Sequence, residues 1–207
     1  MTAAEHEAWL KAAGQYDAMM ERRRQQHHEL QERAAEWRQA EAPLVEQLRT
    51  AGFHVDSVWD LVNTNTSYLK VLPLLLDHLQ RPYPAPVREG IARALAVPEA
   101  KFGWGVLVPL YRNEQDKRAK DGLAAAIAAA ADDEVIAEVI ELAEDQRHGP
   151  SRLLLVRAIE RSRDPRAYRA LVGLATDPEL RKEVQVVLHR LERAKGRRSA
   201  RGYNRPN

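Results

Sequence analysis

The stretch VREGIARALAV, residues 87–97, recurs along this chain. Thirty-two positions on, the sequence reads AKDGLAAAIAA (119–129), and thirty-two further it reads SRLLLVRAIER (151–161). Apolar residues keep their register through the copies: Ile91 falls on Leu123 and Leu155, and Leu95 on Ile127 and Ile159. A basic residue stands near the start of each, at Arg88, Lys120 and Arg152. A fourth copy follows at a spacing of 29, with Arg181 under Arg88, Val184 under Ile91 and Leu188 under Leu95. Apolar positions four residues apart share one face of a helix, so each copy predicts an amphipathic helix with its apolar face turned to its neighbours.

Each copy has a companion before it: YLKVLPLLLDHL (68–79), FGWGVLVPLYRNE (102–114), DDEVIAEVIELAED (132–145) and DPRAYRALVGLAT (164–176). Polar turns separate companion from copy. Asp-Pro at 164–165 and 177–178 gives helix starts in which Asp accepts the orphan N–H groups and Pro wastes no donor. Four antiparallel helix pairs are predicted. The alanines from Ala124 to Ala131 suit a central helix that lies close to its neighbours, whereas Leu153, Leu154, Leu155 and Val156 suit a wider gap.

The pattern LPLLLDHL followed by VREGIARAL, with interlocking apolar positions and a basic residue early in the second helix, resembles a HEAT-repeat α-solenoid over 66–193. Armadillo-like packing is the near alternative. The resemblance implies an all-α, right-handed solenoid whose second helices line a concave face. The physical expectation needs no family name: a single pair cannot bury its apolar face and must stack on the next.

Outward from the repeats, residues 1–41 read as a long polar helix rich in Glu, Gln, Arg and Ala. Its apolar row is thin: Trp9, Tyr16, Leu30, Trp37 and Leu44 lie seven apart, with Arg23 in the same row. The segment 21–33 is polar on every face, which suits a helix that projects or meets a partner; the N-terminal helix is expected to self-associate or dock on a partner while 21–33 stays exposed. Residues 42–65 read as short linking helices, with Pro43 opening one that Gly52 closes. The end, 194–207, reads as a basic disordered tail. From Arg193 onward there are six Lys/Arg and no acid, leaving 26 bases against 30 acids in the other 192 residues.

Composition narrows the chemistry. With no cysteine there is no thiol nucleophile, disulfide or Cys-based zinc site, and the cytoplasm is the simplest location. MTAAEHEAWLKAAG lacks the basic start and apolar run of an export signal. GLAAAIAAAA (122–131) is about half the ~20 residues a membrane span needs.

Adjacent His27 and His28 point about 100° apart on a helix, with no companion at metal-binding spacing. Glu134, Glu138, Glu141 and Asp145 line one helical face and read as a solvated file before a cation site. Neither Ser67 nor Ser151 has the surroundings of a nucleophile, and no glycine-rich phosphate loop occurs. Some DNA glycosylases are built from HEAT-like repeats, and Trp59, Asp60 and Trp104 are the residues that reading would recruit. Their helical spacing favours packing instead. No catalytic residue, metal or cofactor is assigned.

The informative set is the basic register Arg88, Lys120, Arg152 and Arg181, with Arg93, Arg157 and Arg161 nearby. As an open ladder it would hold an acidic protein segment or a phosphate backbone. As a structural set, each base would pair with an acid of a neighbouring repeat or helix start, for example Asp116 or Asp177. The functional expectation is a non-catalytic scaffold for a protein partner. A nucleic-acid-binding solenoid, helped by the tail, is the alternative.

Overall fold

The computed structural model describes residues 14–202 together with Thr2 and Trp9, with side chains to residue 194. All regular structure in that range is helical. Helix α1 (Tyr16–Thr50) comes first, then the short α2 (Trp59–Val62). The pairs are α3 (Leu72–Leu79) with α4 (Ala85–Ala94), α5 (Trp104–Asn113) with α6 (Lys117–Ala130), α7 (Ile136–Glu144) with α8 (Arg152–Arg161), and α9 (Pro165–Leu174) with α10 (Arg181–Gly202). No helix among the described residues is long and apolar enough to cross a membrane.

The four pairs fall where the apolar register puts them. Within each pair the two helices touch, and α4, α6, α8 and α10 also pack on one another in succession. Ile91, Leu95, Leu123, Ile127, Leu155, Ile159 and Val184 are buried along that row. Small residues set the spacing of its first step: a Cβ on Gly122 would lie 2.9 Å from the Glu89 carbonyl oxygen, so α4 and α6 meet backbone to backbone. Asp116 starts α6 by accepting from the amides of Arg118 and Ala119 at 2.8 and 3.0 Å.

Helix α1 departs from expectation in two ways. Pro43 opens no new helix and lies inside α1. Its ring and the carbonyl it leaves unbonded, that of Gln39, are on the exposed side, where water serves in place of the lost hydrogen bond. The helix also starts at Tyr16, after Gly14 in the left-handed region; of the earlier part of the expected 1–41 helix, residues 1, 3–8 and 10–13 lie outside the described residues. At the other end Gly52 (φ 90°) closes α1 as predicted: its amide reaches the Arg49 carbonyl at 2.9 Å and the Phe53 amide reaches that of Leu48 at 3.0 Å.

Only the last quarter of α1 is embedded, through Glu41, Leu44, Val45 and Leu48. Glu41 is a buried acid with a structural task. It accepts from Ser57 Oγ at 3.2 Å and the Val58 amide at 3.3 Å, which ties α2 to α1, and burial raises its pKa. Residues 21–33 are exposed throughout. From Tyr16 to Glu36 the helix is roughly 30 Å long at 1.5 Å per residue. At the other terminus, α10 continues to Gly202, past the boundary at 193 expected from composition; residues 203–207 lie outside the described range.

Candidate functional site

The repeat register brings four bases to equivalent places on α4, α6, α8 and α10, and the structure puts them in different circumstances. Arg88 is half-buried and forms an ion pair with Glu114, which follows α5. The other Glu114 oxygen accepts the Gln115 and Asp116 amides at 2.9 and 2.8 Å, so one carboxylate serves both the turn and the arginine.

Arg152 departs furthest from an open ladder. It is 1% exposed, with Nη1 2.7 Å from Asp177 and Nη2 2.8 Å from Glu179. Its Nε donates to the Gly149 carbonyl at 2.9 Å and Nη1 to that of Ala143 at 3.1 Å. A buried guanidinium needs such compensation, and four of its five N–H donors have acceptors here, with two carboxylates answering its charge. Gly149 supplies its carbonyl from φ 61°, a conformation that favours glycine. Asp177, expected to serve Arg181 on its own helix, is committed to Arg152. Arg181 and Arg157 are exposed with no side-chain partner among the described residues. Arg93 pairs with Glu89 at 2.9 Å, and Arg161 Nη2 donates to the Ala128 carbonyl at 2.6 Å.

Lys120 faces a roomy cleft, whereas the cavity beside Arg88 is about 10 Å³. About 620 Å³ in volume, the Lys120 cleft lies where the α5–α6 turn meets the segment after α7, with Arg112, Gln115, Asp145, Arg147 and His148 also on its walls. Lys120 Nζ donates to the Glu114 carbonyl at 3.1 Å and lies 5.3 Å from the Tyr111 ring centroid. It forms no ion pair among the described residues. Burial lowers its pKa.

Beneath it, Tyr111 is fully buried, and burial pushes its pKa up to about 12. Ser151 Oγ donates to the His148 carbonyl at 2.8 Å, so the 2.9 Å contact between Tyr111 and Ser151 is donated by the tyrosine. The His148 ring leans on Tyr111 at 4.7 Å, and burial and then the Lys120 charge lower its pKa. The Ser151 hydroxyl is thus engaged with the His148 carbonyl and donates to no neighbouring base among the described residues.

The acidic file on and beside α7, with Glu134 before the helix and Asp145 after it, is less idle than a solvated face. Glu134 pairs with Lys101, and Glu138 accepts from Trp104 Nε1 at 2.8 Å and Arg112 at 2.9 Å. Trp104 thereby seals the second pair to the third. Asp145 is held well below the usual carboxylate range by the Arg147 guanidinium, 2.7 Å away at Nη2. Asp60 accepts the Asp56 and Ser57 amides at 2.8 and 3.0 Å, and Trp59 packs half-buried on the core, so with Trp104 on Glu138 all three recruits of the glycosylase reading have structural partners. His27 and His28 stand on the exposed part of α1, contacting Gln31 and Glu32. Protein-family models, curated proteins and solved structures were each compared with the chain and none matches, so function must be argued from this geometry.

Proposed function

We propose that the chain is a non-catalytic interaction scaffold, a right-handed α-solenoid of four HEAT-like helix pairs that holds a protein partner through its second-helix face and the projecting α1. The observation that carries the reading is α1 itself. A 35-residue helix that packs on the body from Trp37 onward among the described residues, with residues 21–33 exposed, is far longer than that packing needs. Isolated helices are marginal in water, and such a helix gains most when a second surface covers it.

The phosphate-binding alternative draws less support. Of the four register bases, Arg88 and Arg152 have their charge answered internally, which leaves a discontinuous positive surface. A test compares the full chain with one lacking residues 1–36 for capture of the same partner, identified by mass, from cell extract. The scaffold reading expects the shortened chain to stay folded and lose that partner. Salt-sensitive retention on duplex DNA that vanishes without 194–207 would favour the nucleic-acid reading instead.

A further inference from the structure

The fate of Arg88, Lys120 and Arg152 is set by residues 25 to 27 positions later in the chain. For Arg152 these include Asp177 at +25 and Glu179 at +27, and both carboxylates bond it. For Arg88 the acid is Glu114 at +26. For Lys120 the corresponding positions hold Asp145 at +25 and Arg147 at +27. A base stands where the next repeat has its second acid. That base also captures the first: Arg147 binds Asp145 through Nε at 2.9 and 3.1 Å and through Nη2 at 2.7 Å. Lys120 is left with a carbonyl and a ring face.

We infer that the cleft beside Lys120 is a carboxylate-binding site, filled by an acidic side chain of a protein partner that takes the place Glu179 holds against Arg152. The local charges agree. Around Arg152 one base meets two acids; the cleft beside Lys120 is lined by three bases, Arg112, Lys120 and Arg147, against two acids, Glu141 and Asp145, with Arg112 tied to Glu138 and Arg147 to Asp145. The cleft has room for a side chain and a length of its backbone, and it is lined also by Gln115, whose Nε2 donates to the Asn113 carbonyl at 3.1 Å. Only the source of the carboxylate rests on the scaffold reading.

The test titrates the full chain with blocked hexaglutamate, hexaglutamine and sodium acetate, followed by calorimetry and by the NMR signal of the Lys120 Cε methylene. Hexaglutamate is expected to bind and to shift that signal. Lys120→Met should weaken binding at least tenfold. Arg147→Glu, which restores the internal acid, should weaken it as much while raising the Tm. Arg169→Met, the loss of one exposed charge on α9, should leave binding unchanged. The inference is overturned if hexaglutamate does not bind, if hexaglutamine binds as well, if Arg169→Met weakens binding as much as Lys120→Met, or if acetate binds as tightly as the peptide. Absence of hexaglutamate binding together with intact partner capture would sink this site and leave the scaffold reading standing.

Discussion

Arg152 Nη1 lies 2.7 Å from Asp177 Oδ2 with both side chains out of solvent, and this contact fastens the third helix pair to the fourth. Asp177 also accepts the Glu179 amide at 2.9 Å, so the same carboxylate starts α10. Arg88 and Glu114 make the same kind of joint between the first pair and the second. Removing one partner of a buried pair strands the other charge, so Asp177→Ala should cost about 3–5 kcal/mol. Combining Arg152→Met with Asp177→Ser, which keeps a capping hydroxyl, should recover most of that loss in urea unfolding. A double variant as unstable as the single one would show that the charge pair is not what is lost.

The same groups set a dependence on pH. Hydrogen bonding from Arg152 holds the Asp177 pKa below its ordinary 3.8, so its stabilisation is present above that value and is lost as pH falls through the lower, folded one. At the alkaline end Tyr111 rises from 10.0 to about 12, so folding protects the neutral phenol. Its contribution is full below pH 10 and is lost between about 10 and 12. Unfolding midpoints of wild type and Tyr111→Phe should therefore converge as pH rises across that window, and parallel curves would refute the assignment.

Two leucines on α1 should behave oppositely. Leu48 is fully buried, whereas Leu30, eighteen residues earlier, is 59% exposed. Leu48→Ala should cost about 2–5 kcal/mol through transfer and cavity effects. Leu30→Ala should change stability by less than about 0.5 kcal/mol. A large loss at Leu30 would mean that the projecting part is packed in solution.

The four pairs were legible because burial acts at every repeat: Ile91, Leu123, Leu155 and Val184 share one register and one environment. The ends of α1 were partly legible. Gly52 announces its positive φ in the sequence, but whether Pro43 starts a helix or sits inside one depends on which side of the helix faces water. The basic register was legible as a row and not as a site. Whether Arg152 or Lys120 keeps a free charge turns on a single difference, Glu179 against Arg147, at an equivalent position one repeat away. Comparing the repeats at that offset as well as at the bases would have exposed it.

Glycine to alanine exchanges probe the closest helix contact. In α6, a Cβ on Gly122 would meet the Glu89 carbonyl oxygen at 2.9 Å and Glu89 Cα at 3.2 Å, backbone atoms that cannot step aside. Gly122→Ala should destabilise by about 1–3 kcal/mol despite the better helix propensity of alanine. In α9, nothing lies within 4 Å of the corresponding position on Gly173. Gly173→Ala should stabilise by about 0.5–1 kcal/mol. Thermal unfolding of the two variants should shift in opposite directions, and a common direction would refute the close approach of α4 and α6.

Charge reversal at the register bases separates joints from surface. Arg88→Glu would set a carboxylate against the buried Glu114, and Arg152→Glu would set one against Asp177 and Glu179 inside the protein. Like charges at hydrogen-bond distance in a desolvated site repel far more strongly than in water, and the groups that gave up hydration to pair would then have neither water nor partner. Changing Arg88, Lys120, Arg152 and Arg181 together to Glu should therefore unfold the chain, with loss of the helical circular-dichroism signal at 25 °C. Arg181→Glu and Arg157→Glu have no ion pair to invert among the described residues, and each should alter stability by less than about 0.5 kcal/mol. A quadruple variant that keeps its helical signal and its melting temperature would show that Arg88 and Arg152 are not joints, and would return them to the surface available to a partner.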